Sequence, residues 1–102
     1  MTDPRGSRWT VEVPTTRRER VRGLLGREGL PPGRALLLKT SSIHTFGMRF
    51  AIDAVLLDRT LKVLRVQRMP PGRLLLSRPR VRYVLECRAG SGFRTGDVLV
   101  RG

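Results

Sequence analysis

Cysteine, histidine and lysine are nearly missing from this chain, and the first two shortages each close off a class of chemistry. The single cysteine, Cys87, rules out an intramolecular disulfide and leaves no second thiolate for a zinc site. The single histidine, His44, has no partner at a metal-ligand spacing, so the sequence implies neither a metal nor a cofactor. No uninterrupted stretch approaches the ~20 apolar residues of a membrane-spanning helix, and no apolar run precedes Trp9 as a secretory signal would require. A soluble cytoplasmic protein is the expectation.

Aromatic residues make up only 5% of the 102, against 39% hydrophobic residues in all, so the core must be aliphatic, built from the Leu and Val of the central and late segments. A chain of this length buries roughly 60 to 68% of its unfolded surface, enough for one core. Acidic residues are also few: eight, against 19 arginines and two lysines, Lys39 and Lys62, for a net charge of +13. Arginine suits bidentate contact with phosphate or carboxylate. Here the arginines scatter through every segment instead of gathering in a run, so the charge speaks first to solubility and general association.

Residues 1–8 are polar, carry Pro4 and Gly6, and read as a disordered start to one β-rich domain over 9–102. Trp9, Val11 and Val13 alternate with Thr10 and Glu12 in a short half-buried strand ended by Pro14. Thr16 and Glu19 make a capping box that opens a helix over 17–25, where Val21, Leu24 and Leu25 share one side and Gly23 suits close packing on a sheet. Ala35, Leu36, Leu37 and Leu38 are an apolar run compatible with a buried strand, and 41–47 reads as an exposed loop.

From Phe50 the period becomes two, with Phe50, Ile52, Ala54 and Leu56 on one face and Ala51, Asp53, Val55 and Leu57 on the other. Asp58, Arg59 and Thr60 turn the chain into an antiparallel strand over 61–69, whose apolar phase slips between Val63 and Leu64 as a β-bulge requires. Leu74, Leu75 and Leu76 form a further apolar run; Val81, Tyr83, Leu85 and Cys87 alternate with polar neighbours; Gly96 and Asp97 turn into Val98, Leu99 and Val100. Seven short strands and one helix, without βαβ alternation, predict a mainly β (α+β) fold: a small antiparallel β-barrel or rolled sheet with one short helix.

Asp53 puts a carboxylate into an apolar row, where an unpaired charge is costly. Loop amides or an arginine such as Arg49 are expected to hold it, depress its pKa and fix the 41–49 loop. His44 near a carboxylate could act as a base or, protonated, bind an anion. Arg22, His44, Thr45, Arg49 and Asp53 are therefore the candidate ligand-binding set. No residue is assigned a catalytic role, because Ser41, Ser42 and Thr45 belong to no nucleophile motif. Glu86 lies between Leu85 and Cys87 and could pair with an arginine on a neighbouring strand, while Cys87 is placed to pack with Tyr83 and Leu85.

Three stretches together resemble one family. Arg20-Val21-Arg22-Gly23-Leu24-Leu25-Gly26-Arg27, the segment from Ile43 to Asp58, and Tyr83-Val84-Leu85-Glu86 with Ala89-Gly90 and the later Gly96-Asp97 are similar to domain of unknown function 192. Leu25 stands where that family usually has methionine, His44-Thr45-Phe46-Gly47-Met48 replaces its tryptophan-methionine-lysine-asparagine-threonine run, and Ala51 stands for its proline; Asp53 matches its aspartate. The resemblance implies a small β-rich fold and no particular activity.

The resulting expectation is a non-catalytic binding or accessory module, with its site on the 41–49 loop and an anionic small ligand or acidic protein segment as partner. The alternative is arginine-mediated, non-specific nucleic-acid binding through Arg17, Arg18, Arg20, Arg22, Arg78, Arg80 and Arg82. A hydrolase would need His44 as base with Asp53 or Glu86 to orient it.

Overall fold

A computed structural model of the protein describes residues 1–14, 29–76 and 78–101. In chain order the strands are β1 (Thr10–Glu12), β2 (Arg34–Leu38), β3 (Ile43–His44), β4 (Ile52–Leu57), β5 (Val63–Met69), β6 (Leu74–Leu75) and β7 (Tyr83–Arg88). Five of them form one sheet in the order β1-β2-β7-β4-β5, and β3 pairs with β6 in a separate two-stranded ribbon. The pairings are antiparallel except that of β1 with β2, which is parallel.

The sequence of β4 explains its place between β7 and β5, because every one of its residues is apolar or buried. Ile52, Ala54 and Leu56 enter one core with Leu36, Leu38 and Val84, whereas Val55 and Leu57 enter a second with Ala35, Leu37, Leu85 and Cys87. Leu30, Ile43, Met48, Met69, Leu75 and Val81 complete the first core; Leu61, Val63, Phe93 and Leu99 complete the second, with Met1 and Trp9 against it. A strand buried on both sides belongs to a sheet covered on both sides. This corrects the expected barrel: among the described residues β1 and β5 are open edges, and the sheet is not closed on itself. Val55 and Leu57 carried the signal, since a barrel strand would have turned polar residues outward there.

The bulge falls in the returning strand as expected. Leu56 faces Arg65 and Leu57 faces Val63, so Leu64 is the extra residue. Val63 and Val66, three apart, thereby both reach the second core, while Leu64 packs on the first.

The helix expected over 17–25 lies outside the described residues, among which there is no helix; none is therefore long and apolar enough to cross a membrane. The segment 98–100 forms only isolated bridges, Val98 with Lys62 and Val100 with Thr2. Residues 1–8, expected to be disordered, make hydrogen bonds with each other and with the end of the chain. Thr2 exchanges backbone hydrogen bonds of 2.8 and 3.0 Å with Val100. The buried Asp3 carboxylate accepts from the N–H groups of Arg5 and Ser7, each at 3.0 Å, and from the Trp9 indole at 3.1 Å. Pro4 and Gly6 thus belong to an aspartate-centred turn that seats Trp9 on Phe93, ring centroids 4.8 Å apart.

Candidate functional site

Part of the expected 41–47 loop is strand β3, and its two residues divide by alternation. Ile43 is buried with its partner Leu75, whereas His44 and its partner Leu74 face solvent. Leu76, one residue past the end of β6, is 69% exposed; Leu74 and Phe46 are 58% and 51% exposed. The Phe46 N–H donates to His44 Nδ1 at 3.3 Å, and the two rings stack with centroids 5.0 Å apart and planes 20° from parallel. Accepting at Nδ1 assigns the N–H of the neutral imidazole to Nε2. Arg49 and Arg73, both exposed, flank this outer face in sequence.

Thr45 is fully buried and has a different task. Its Oγ1 donates to the Pro70 carbonyl at 2.7 Å and accepts from the Arg73 N–H at 2.8 Å. Its backbone N–H donates to the Arg73 carbonyl at 2.8 Å, and its carbonyl accepts from Gly72 at 2.9 Å. One threonine therefore clips the loop after β3 to the turn before β6. Replacing Thr45 with valine keeps the shape and removes the hydroxyl, so urea unfolding should register a loss of about 1 to 2 kcal/mol.

Asp53 is buried, as expected, but its partners are not those foreseen. Arg68 Nε donates to Oδ1 at 2.7 Å, while the N–H groups of Gly90 and Ser91 and the Ser91 hydroxyl donate to Oδ2 at 3.1, 3.0 and 2.8 Å. Gly90 adopts φ +85°, a conformation that side-chain-bearing residues resist, and no atom lies within 4 Å of where its Cβ would stand. Its glycine is needed for backbone conformation, not for space. Burial opposes the charge on Asp53, yet Arg68 and both donors of Ser91 outweigh it and hold its pKa below the usual aspartate range.

Arg68 stands directly opposite Asp53 across the β4–β5 hairpin. Counting back from the turn at Asp58 with one bulged residue could have found it. Because Ile52 and Ala54 face the core that Ile43, Met48 and Leu75 complete, the Asp53 side chain leaves on the other side of the sheet. His44 and Arg49 are exposed, Thr45 between them in sequence is buried, and Asp53 points to the other side of the sheet; Arg22 lies outside the described residues. The expected tie from Asp53 to the 41–49 loop is replaced by one to Gly90 and Ser91.

With this geometry in hand, comparison with known proteins places the chain. Residues 1–98 match the family DUF192, described as "Uncharacterized ACR". The chain belongs to that family. Its fold is similar to that of a "putative transcription regulator" from Sinorhizobium meliloti 1021, with a TM-score of 0.77 at 22% identity over 88% of this chain and 79% of that one. It is similar also to a protein of unknown function from Novosphingobium aromaticivorans DSM 12444, with a TM-score of 0.78 at 18% identity over 95% and 79% of the two chains. At such identities the likeness is one of fold. No curated protein matches the sequence.

Two further polar groups lie inside this DUF192 fold. Glu86 projects into the first core between Leu36 on β2 and Ala54 on β4 and is 6% exposed. The arginine expected beside it is not among these cross-strand neighbours, and burial pushes its pKa up to about 7. Cys87 projects to the other side, where burial pushes its thiol up to about 12 and its Sγ–H donates to the Asp53 carbonyl at 3.7 Å. A thiol so placed packs and does not attack. Among the described residues no group of three His, Cys, Asp or Glu could hold a metal ion. His44 meets neither Asp53, which is across the sheet, nor Glu86, so the base and orienter of a hydrolase are not assembled there.

Proposed function

We propose that this DUF192 protein is a small non-catalytic binding module whose outer ribbon face, made by His44, Phe46, Leu74 and Leu76, receives an acidic protein segment. The observation that carries the reading is the exposure of Phe46, stacked on His44, of Leu74, paired with His44, and of Leu76 just past β6, on a ribbon whose other residues, Ile43 and Leu75, are anchored in the core. Exposed apolar groups gathered on one side mark contact surfaces, and aromatic and aliphatic anchors with arginine nearby are what protein partners bury. Arg49 and Arg73 beside the ribbon, and the net charge of +13, favour an acidic segment and speed its encounter. Aliphatic Leu74 and Leu76 suit a protein better than a nucleic acid.

The test is a screen of acidic peptides bearing apolar residues, read by fluorescence anisotropy. Peptides selected on the parent should bind the Phe46→Ala, Leu76→Ser double variant about tenfold or more weakly, at unchanged thermal stability. Equal binding to both proteins would remove the ribbon from the site.

A second reading, nucleic-acid binding, draws on the exposed His44–Phe46 stack as a platform for a base, and on the transcription-regulator description of one structural neighbour. Titration of DNA and RNA at several salt concentrations separates the readings: phosphate contacts would make log K fall with log salt by about 0.7 to 0.9 per phosphate neutralised.

A further inference from the structure

Strand β5 ends the five-stranded sheet, and its outer edge is covered at one end only. The Val63 N–H donates to the Asp97 carbonyl at 2.7 Å and the Val63 carbonyl accepts from Gly96 at 2.8 Å. Beyond Val63, the outer edge of β5 takes no backbone partner among the described residues. An open edge is a template for another strand.

The side chains along that edge decide which strand. The pairings with β4 put Arg65, Gln67 and Met69 on the face of the first core, and Val66 and Arg68 on the face of the second. Arg65 donates to Gln67 Oε1 at 2.9 Å. Arg68 gives its Nε to Asp53, yet its side chain remains 57% exposed, leaving the rest of the guanidinium fork available. A second copy of the chain is the poorer match on charge, because it brings the same net charge of +13 to an edge that already carries Arg65 and Arg68. The Leu64 bulge and the two arginines reject indiscriminate pairing while leaving one charge pattern acceptable.

We propose that the outer edge of β5 accepts an extended acidic strand from a partner protein, which continues the sheet as a sixth strand with carboxylates opposite Arg65 and Arg68. The surface is separate from the ribbon, so the inference stands whether or not the ribbon binds. Antiparallel pairing specifies the partner's pattern: apolar opposite Met69, acidic opposite Arg68, small polar opposite Gln67, β-branched opposite Val66 and acidic opposite Arg65.

The probe is the blocked peptide Val-Glu-Thr-Val-Glu, titrated into the isotopically labelled protein at low and high salt. Backbone amide shifts should concentrate on 65–69, and binding should weaken as salt rises. Arg65→Glu should weaken the peptide about tenfold, and replacing the peptide's last Glu with Lys should restore it to that variant. The Phe46→Ala, Leu76→Ser protein should bind it as the parent does. Shifts centred on the ribbon, loss of binding in the ribbon variant, or indifference to the Arg65 charge reversal would each overturn the proposal.

Discussion

Replacing Glu86 with glutamine is expected to flatten the pH dependence of stability between about pH 4.5 and 7 and to leave the protein about 3 kcal/mol more stable than the parent above that window. The sign follows from proton counts. Burial raises the folded-state pKa of Glu86 from the ordinary 4.5 to about 7. Below the ordinary value both folded and unfolded states hold the proton, and the carboxyl imposes no pH dependence. Between the two values the unfolded chain has lost the proton while the folded chain keeps it, so each rise in pH favours unfolding; above the folded value the loss is complete. Asp3, Asp53, Asp58 and Asp97, whose pKa values are lowered on folding, act in the opposite sense and at more acid pH, so they do not mask this window. Urea unfolding of both proteins across that range gives the comparison. Parallel profiles would mean that Glu86 is solvated or paired.

Asp53→Ala should cost about 2 to 4 kcal/mol, because the N–H of Gly90 and both donors of Ser91 lose one acceptor together and Arg68 loses its counter-charge. The damage is expected in the Gly90–Ser91 turn. Amide exchange should accelerate there, whereas the loop after β3 keeps its protection through Thr45. In the parent, the stabilisation from Asp53 is present above the unfolded aspartate value of about 3.9 and is lost as pH falls through the depressed folded value. Unchanged exchange at Gly90 and Ser91 in the variant would contradict this assignment.

What could be read from the sequence was periodic. Alternation placed Ile52, Ala54 and Leu56 on one face and Val55 and Leu57 on the other, and the phase slip after Val63 located the bulge, because both are local consequences of the pleat. The burial and depressed pKa of Asp53 followed from one carboxylate in an apolar row. Arg68 was within reach of counting across the hairpin, but Gly90 and Ser91 were not, since Ser91 is 38 residues away and reaches Asp53 only through the pairing of β7 with β4. The open sheet was legible in Val55 and Leu57, which make the second face of β4 largely apolar as well, but the count of short strands was read as a barrel or rolled sheet instead. Strand β3 was hidden inside a polar segment: two residues held mainly by Thr45 and Leu75 leave no period to detect. Of the candidate ligand-binding set, His44 and Arg49 remain exposed, Thr45 is committed to the clip, and Asp53 is committed to the opposite side of the sheet.

The extra residue in β5 bears on how this chain can change in length. Losing one residue from an ordinary strand inverts every side chain beyond the gap, which carries core residues into water. In β5 the opposite holds at a single position. Without Leu64, Val63 and Val66 would stand two apart and regular alternation would keep both in the second core, with Arg65 between them. A deletion at that site therefore exchanges a bulged hairpin for a regular one while each remaining residue keeps its side of the sheet, so a chain one residue shorter in this strand can keep the same pair of cores.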